Sequence, residues 1–585
     1  MSTSDSSNPV IARVCKHAAY NTSSRDKFKD ILTAKITEIM ADGTRNNRLI
    51  AIEDYKQDFY IVKEKHRKFN QHKDYIEANK CDKFRSTRAR LPLNISKVLY
   101  GFPDRNLDLV MAKNNPYVFG CEQSIPVVFK HKFHVKYPEY QEKERYTVAS
   151  YDVETNMWSK EEEIIMAATT MKDKVVLVIC RSWFGGDDDK TILANLKEAE
   201  QKYMADVYKR RGIINPEYLL VDTPCDVVVE NVSRWHKWSP DWIGSWNAKF
   251  DMEKNEAALF AGGRQPKDVY TDPSVPPEYR KYVFHPGRPH KIKEDGSKTP
   301  LEWQERFPTV RTLAGWCWLD TGSLYAIKRT AKGKLDSYAL QAVTEREKVD
   351  GKLYFQGEET SRFKPGSLEW HKDMQKNFKY QYCMYCIKDN ICIEEIDEKT
   401  DDMGLSLSML LKYSEYFNFP SQPNLISDTL SFIALENNYV WGCTPNQKDE
   451  TFKKELPSLG NWIALLFTEQ CALSKGKQVF EGLWDLYSRA RGITDDIDVE
   501  GAYPSETVSL NCANKTTQME VCKMQGKNED EQREISINYA CSPKANAIGL
   551  CNALFGFPLT EDVKEVFEAK LVELGMTSEL QKLTA

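Results

Sequence analysis

Two carboxylates stand two residues apart in Ser150-Tyr151-Asp152-Val153-Glu154-Thr155, a stretch rich in strand-forming residues. Along a strand, side chains at i and i+2 share a face, so Asp152 and Glu154 point one way while Val153 points into a core. Carboxylates paired in this manner suit Mg2+, which prefers oxygen ligands and keeps part of its water shell. Phosphodiester hydrolysis by two metals roughly 3.5–4 Å apart needs about four carboxylates gathered from separate elements. Two further segments supply the rest. Asn247-Ala248-Lys249-Phe250-Asp251 follows strand-like residues 241–246 and opens a helix, where an acidic side chain is also favoured by the helix dipole. In Tyr385-Cys386-Ile387-Lys388-Asp389 the i,i+4 spacing places Tyr385 and Asp389 on one helical face. There a phenol can orient an attacking water while the carboxylate holds a metal. Each motif is common by itself; the signal lies in their order and in the elements that carry them.

Those elements follow from the residue pattern. Residues 146–152, 163–169 and 174–180 read as three short strands between turn-prone or charged segments. A helix is expected over 193–211, another over 225–238, and a further strand over 242–246. Strands followed by alternating helix and strand imply a mixed α/β sheet. Pro and Gly are frequent between Gly262 and Pro308, as in an extended loop. Within it, Pro286-Gly287 is flanked by Tyr282, Val283, Phe284 and basic residues, which fits a projecting hairpin or an irregular loop. Helices are expected again over 337–343, 370–396 and 406–417.

The whole chain sets the frame. Its 585 residues exceed a single core, so two to four domains are expected. The composition, 41% hydrophobic and 29% charged, is that of a globular protein. A net charge of −5 argues against a passive nucleic-acid coat while permitting a local basic groove. From Lys63 to Arg90, ten Lys and Arg face four Asp and Glu, interleaved with Phe69, Tyr75 and Phe84. That stretch reads either as a solvated surface or as a contact to a nucleic-acid backbone. No apolar run reaches the roughly 18 residues of a membrane span, and the start shows no secretory leader, so a cytoplasmic location with reduced thiols is expected. Among the 15 cysteines, Cys383 and Cys386 form a Cys-x-x-Cys pair without a second pair at zinc-site spacing. They read, with Cys392, as helix-packing residues.

Taken together, the three acidic segments resemble the exonuclease motifs of proofreading DNA polymerases, and the chain is similar to the phage-type family B DNA polymerases. Trp318-Leu319-Asp320, Leu324-Tyr325 and Ser337-Tyr338-Ala339-Leu340 resemble the segment between the second and third motifs. The resemblance implies a Mg2+-dependent 3′→5′ exonuclease with an RNase H-like fold. Asp152, Glu154 and Asp389 would bind one Mg2+, and Asp152 with Asp251 the other, Mn2+ being an alternative ion. Tyr385 would position the water, and Asn247 and Phe250 would hold the frayed 3′ end. The three residues between Asn247 and Asp251 are the shorter of the family's spacings.

A second site is suggested by Asp498-Val499-Glu500-Gly501-Ala502-Tyr503-Pro504-Ser505, which resembles the first polymerase motif of the same family. Asp498 would hold the metals of nucleotide transfer and Tyr503 would lie under the sugar. Phe480-Glu481-Gly482-Leu483 resembles, weakly, the link that touches template, with Gly482 as the contact. Gly501-Ala502 departs from the usual Ser-Leu. Eighty residues follow Ser505, without the family's lysine helix or Asp-Thr-Asp turn. The resemblance therefore implies an N-terminal domain (1–144), an exonuclease domain (145–396), a connecting segment returning to the N-terminal domain (397–490) and an incomplete palm (491–585). It implies as partners primer–template DNA, a single-stranded 3′ end and a C-terminal subunit with the fingers, remaining palm and thumb. A sliding clamp is compatible with it and a membrane is not; the compartment would be a bacterial host's cytoplasm. The competing expectations are a stand-alone exonuclease and a non-catalytic DNA-binding scaffold.

Overall fold

The computed structural model describes residues 8–442, apart from 69–72, 74, 140–143, 293–295, 330–332, 334, 356 and 358–359, and beyond 442 only the paired strands Gln518–Cys522 and Glu534–Asn538. Gly482, Asp498 and Tyr503 lie outside the described residues. Residue contacts divide the chain into two compact units, Met1–Gln447 and Lys448–Ala585. The protein is of the mixed α/β class. No helix among the described residues is long and apolar enough to cross a membrane.

The first unit opens with an antiparallel sheet of β1 (Val10–Thr22), β2 (Asp30–Met40) and β3 (Arg45–Glu53). Its middle strand is buried almost throughout and carries Lys35 into the interior. The Lys35 ammonium meets Asp241 Oδ1 at 2.7 Å, and Lys16 on β1 approaches Asp241 Oδ2 at 3.8 Å. Asp241 also accepts the amide of Thr147 at 2.8 Å, so one carboxylate ties the first sheet to the entry of the second.

That second sheet positions the acids. It contains β4 (Val148–Thr155), β5 (Ile164–Met171), β6 (Lys174–Cys180), β7 (Glu217–Val221), β8 (Trp242–Ser245) and β9 (Cys317–Asp320), in the spatial order β7-β6-β5-β4-β8-β9. β4, β5 and β6 form an antiparallel meander; β8 and β9 extend it in parallel beyond β4, and β7 runs parallel to β6 on the far edge. Both β5 and β6 are buried along nearly their whole length, as expected when helices cover both faces of a sheet. α1 (Asp189–Tyr203), α2 (Pro224–Trp238), α3 (Ala248–Ala261), α4 (Thr321–Lys328), α5 (Leu368–Asn377) and α6 (Lys379–Thr400) supply that cover. Four of them start at polar caps: Asp188 accepts from Thr191, Thr223 from Asp226, Asp320 from Ser323 and Ser367 from Trp370, satisfying amides with no helical partner.

The pleat sorts β4 as its alternation requires. Ala149, Tyr151 and Val153 join Trp235 of α2, Met252 of α3 and Trp318 of β9 in one buried cluster. On the opposite face Met166, Ala168 and Leu177 pack with Ile192, Leu196, Tyr382, Cys386 and Ile387 from α1 and α6.

Several element boundaries differ from the sequence expectation. The first strand runs to Thr155 rather than Asp152, because pairing continues through Asp152 with Ala168 and Glu154 with Met166. The helix expected over 193–211 starts earlier, at the Asp188 cap, and breaks at Met204 before a separate helix Ala205–Arg211. The 370–396 helix is two helices interrupted at Phe378, and 406–417 is divided by Lys412, whose φ is +46°. The expected 337–343 helix runs over Leu340–Glu347. The strands flanking Pro286-Gly287 do not pair with each other: Tyr282–His285 pairs with Thr309–Thr312, and His290–Ile292 with Lys298–Pro300. Gly287 has φ +84°, and a Cβ there would stand 2.2 Å from the Arg306 carbonyl oxygen, so the turn serves a close backbone approach, not a hairpin. After α6 the chain packs back on its N-terminal part, where Tyr439–Trp441 pairs with Tyr75–Glu77.

Candidate active site: an acidic cluster between sheet and helix

Four carboxylates converge from three elements. Asp152 and Glu154 come from β4, Asp251 from the first turn of α3, and Asp389 from the middle of α6. Glu154, Asp251 and Asp389 are each at least nine-tenths buried, while Asp152 is half-buried and gives the cluster its opening. Along α6, Tyr382, Tyr385, Cys386 and Asp389 follow i, i+3, i+4, i+7 spacing, so one helical stripe faces the cluster.

Two side chains from outside the motifs complete the surroundings. Lys352, in the segment before α5, donates to Asp389 Oδ2 at 2.5 Å and to Tyr385 Oη at 2.8 Å, with its Nζ 4.9 Å from the Tyr385 ring. Tyr382 donates its hydroxyl to Glu154 Oε2, stacks on Tyr385 with ring centroids 5.7 Å apart and meets His371 Nδ1 at 2.8 Å. Gln375 donates to the Thr155 carbonyl at 2.8 Å, fixing the end of β4 against α5.

The electrostatics are those of a site with too few cations. Burial pushes Asp152 up to about 7, with Asp389 adding to the shift and Lys352 opposing it. Glu154 is raised well above the carboxylate range by burial and then by Asp152. Asp251 is raised likewise by burial and by Asp152, against the Ser245 hydroxyl. Asp389 is raised by burial in spite of Lys352, while that amine is itself driven up by the surrounding acids. Four carboxylates facing one ammonium cannot all ionise in a desolvated site without further positive charge. Asp251 Oδ2 and Asp389 Oδ1 are buried without a hydrogen-bond partner. Four carboxylates with two orphaned oxygens fit hard divalent cations.

Asp320 has a different task. Its Oδ2 accepts the amide of Ala248 at 3.0 Å and its Oδ1 the amide of Ser323 at 2.6 Å, so one buried carboxylate caps α3 and α4 together. This fixes the start of α3, one turn ahead of Asp251. Burial raises Asp320 to about 7.

The proposed substrate-holding residues lie at the same junction. Asn247 is exposed at the N-terminus of α3, its carbonyl accepting the amides of Phe250 and Asp251. Phe250 is half-buried, packs against the Trp235 cluster and has Lys254 Nζ 5.6 Å from its ring. Just past β4 a shallow groove of about 280 Å3 is lined by Asn156, Trp158, Trp183, Gln375, Lys376 and Lys379. Trp158 is 61% exposed, donates its indole N–H to the Lys372 carbonyl and has the Lys372 and Lys376 ammonium groups 5.5 and 5.9 Å from its ring centre.

Of the residues named from the sequence, the structure brings the four acids and Tyr385 together; Lys352, Tyr382 and Cys386 join them without having been named, as does the capping by Asp320. Tyr382 and Cys386 were within reach, since they share the α6 stripe with Tyr385 and Asp389. Lys352 carries no local signal. The cysteines of α6 pack as expected, Cys383 and Cys386 in one buried cluster and Cys392 in another; in addition, the Cys386 sulfur and carboxylate oxygens of Asp152 and Glu154 all lie within 4.8 Å of one another. Compared with protein-family models, the chain matches none, and no curated protein matches it.

Proposed function

We propose that the acidic cluster is a two-metal 3′→5′ exonuclease site for single-stranded DNA ends, the proofreading part of a family B DNA polymerase. The observation that carries this reading is the convergence of Asp152, Glu154, Asp251 and Asp389 around a space with excess negative charge and two orphaned carboxylate oxygens. The strand order supports it. A three-strand antiparallel meander, extended beyond its first strand by two parallel ones, is what an RNase H-like fold calls for, with β7 as an added edge.

Asp152, Glu154, Asp251 and Asp389 would hold the Mg2+ ions, with Mn2+ as an alternative. When bound, these supply a nucleophile at neutral pH and neutralise charge on the scissile phosphate. The chain's own residues do the rest. Tyr382 fixes Glu154 through its hydroxyl. Lys352 donates to Tyr385 Oη, and the phenol's own O–H is directed at Asp389, from which it would turn to a water or phosphate oxygen once that carboxylate is bound to metal. Burial keeps Tyr385 protonated for that purpose. Trp158 offers a base-stacking face with Lys372, Lys376 and Lys379 around it for phosphates, the pattern by which proteins hold single strands. Asn247 stands exposed at the cluster's rim.

Gly482, Asp498 and Tyr503 belong, in this reading, to a nucleotide-transfer site that a C-terminal polymerase subunit completes. The stand-alone exonuclease is the second reading, favoured by the fact that every residue of the cluster lies within Met1–Gln447. Mg2+-dependent digestion of a single-stranded oligonucleotide, lost in D152A/E154A, tests the nuclease; digestion by that variant at the wild-type rate overturns it. Primer extension on mixing with a chain that carries the missing polymerase motifs separates the two readings.

A further inference from the structure

Cys386 brings a soft ligand into a cluster otherwise made of hard oxygens. Its side chain is fully buried on α6, on the stripe that also carries Tyr382 and Asp389. Mg2+ makes no use of sulfur, whereas Zn2+ takes thiolate and carboxylate together. With Zn–S near 2.3 Å and Zn–O near 2.0–2.2 Å, ligand atoms around a tetrahedral ion stand roughly 3.4–3.6 Å apart. The sulfur of Cys386 and the oxygens of Asp152 and Glu154 already lie within 4.8 Å of one another. Closing on an ion needs only about an ångström of side-chain adjustment, and half-buried Asp152 has room to make it. A fourth carboxylate, Asp389, stands outside that 4.8 Å group but near enough for its charge to be felt by Asp152 and Cys386. Its Oδ1 is buried and unpartnered, its other oxygen being held by Lys352.

We propose that Cys386, Asp152 and Glu154, with Asp389 as fourth ligand, form a binding site for a thiophilic divalent cation of the Zn2+ class, and that this ion excludes Mg2+ from the cluster and stops hydrolysis. Binding breaks the S–H bond of Cys386 and forms a sulfur–metal bond; the proton leaves to the buffer, and no electrons are exchanged. The exclusion of Mg2+ rests on the nuclease reading, while the binding itself does not.

The probe is Cd2+, titrated into the full chain and followed by the ultraviolet thiolate-to-cadmium absorption. A component of that absorption is expected in the wild type and in C383S and should be missing in C386S. Superimposable wild-type and C386S titrations overturn the site. In D152N the thiol is kept and one ligand is lost, so half-saturation should need at least about tenfold more Cd2+; an unchanged titration also overturns it. For the inhibition, the Zn2+ concentration that halves Mg2+-dependent digestion should rise at least about tenfold in C386S, and an equal value in both proteins refutes the exclusion of Mg2+. A chain that shows the cadmium component but digests nothing with Mg2+ supports the site and sinks the nuclease reading.

Discussion

Asp241 and Asp251 are equally buried, ten residues apart in sequence, and electrostatically opposite. Asp241 faces the ammonium groups of Lys35 and Lys16, while neighbouring Glu144 is paired by Arg45 at 2.5 Å. Despite burial, those cations hold Asp241 down at about 2. Asp251 faces Asp152, Glu154 and Asp320, and is pushed far up. One charge cluster is closed by the chain itself; the other is left open. A buried carboxylate matched by cations is an internal clamp, and removing it strands charges. Buried carboxylates in excess cost stability, and their persistence points to a ligand that completes them.

The contrast can be broken most decisively at the open cluster. D152A/E154A should lower Mg2+-dependent digestion of single-stranded DNA by about a thousandfold or more, equivalent to roughly 4 kcal/mol of barrier. Its thermal unfolding temperature in the absence of metal should be unchanged or higher, since repelling charges are removed. A variant that unfolds at markedly lower temperature would place these acids with the clamp instead.

At the closed cluster the outcome should be the reverse. Asp241→Ala leaves Lys35 and Lys16 buried without their partner and should destabilise the unit by roughly 3–5 kcal/mol, read from thermal or denaturant unfolding. Asp251→Asn, with similar burial, should not. Equal losses in the two variants would erase the distinction.

The pH dependence sharpens it further. Asp152 titrates near 7 when folded and near 3.8 when unfolded, so the folded chain binds more protons between these values. Stability without metal should therefore fall as pH rises from about 4 to about 7. Asp241, depressed to about 2 from 3.8, contributes stability that is present above the unfolded value and lost only as pH falls through about 2. Melting curves of wild type and D152N across that range, with and without Mg2+, test the first sign. The slope should flatten in D152N, and Mg2+ should offset it in the wild type.

The smallest effect belongs to the groove. Trp158→Ala should weaken single-strand binding by about 1–2 kcal/mol, the contribution of one stacked base, seen as a raised KM with kcat little changed. A change confined to kcat would remove the Trp158 groove from the substrate path.

The parts of this site legible in the sequence are those set by local periodicity. Asp152 and Glu154 declared themselves through the two-residue repeat of a strand, and Tyr385 with Asp389 through the helical turn. Lys352 did not, because its partner Asp389 lies 37 residues away and no pattern around Gly351-Lys352-Leu353 distinguishes it from other lysines. Nor did the Asp241 clamp, whose Lys35 partner comes from a different sheet. The Pro286-Gly287 turn left a hairpin and an irregular loop equally open for the same reason. Its local geometry suits a hairpin, but its flanks found better partners more than twenty residues downstream in one case and beyond a short loop in the other.

Asp320 gives the cluster a dependence that no list of ligands would reveal. Because Ala248 and Ser323 draw on the same carboxylate, the start of α3 and the start of α4 are fastened by one side chain. A genetic screen for chains that have lost nuclease activity should therefore return substitutions at Asp320, although it is not one of the proposed metal-holding acids. Amide hydrogen exchange would tell those variants apart, with the protons of Ala248 and Ser323 quickening together while the four acids of the cluster remain in place in the sequence.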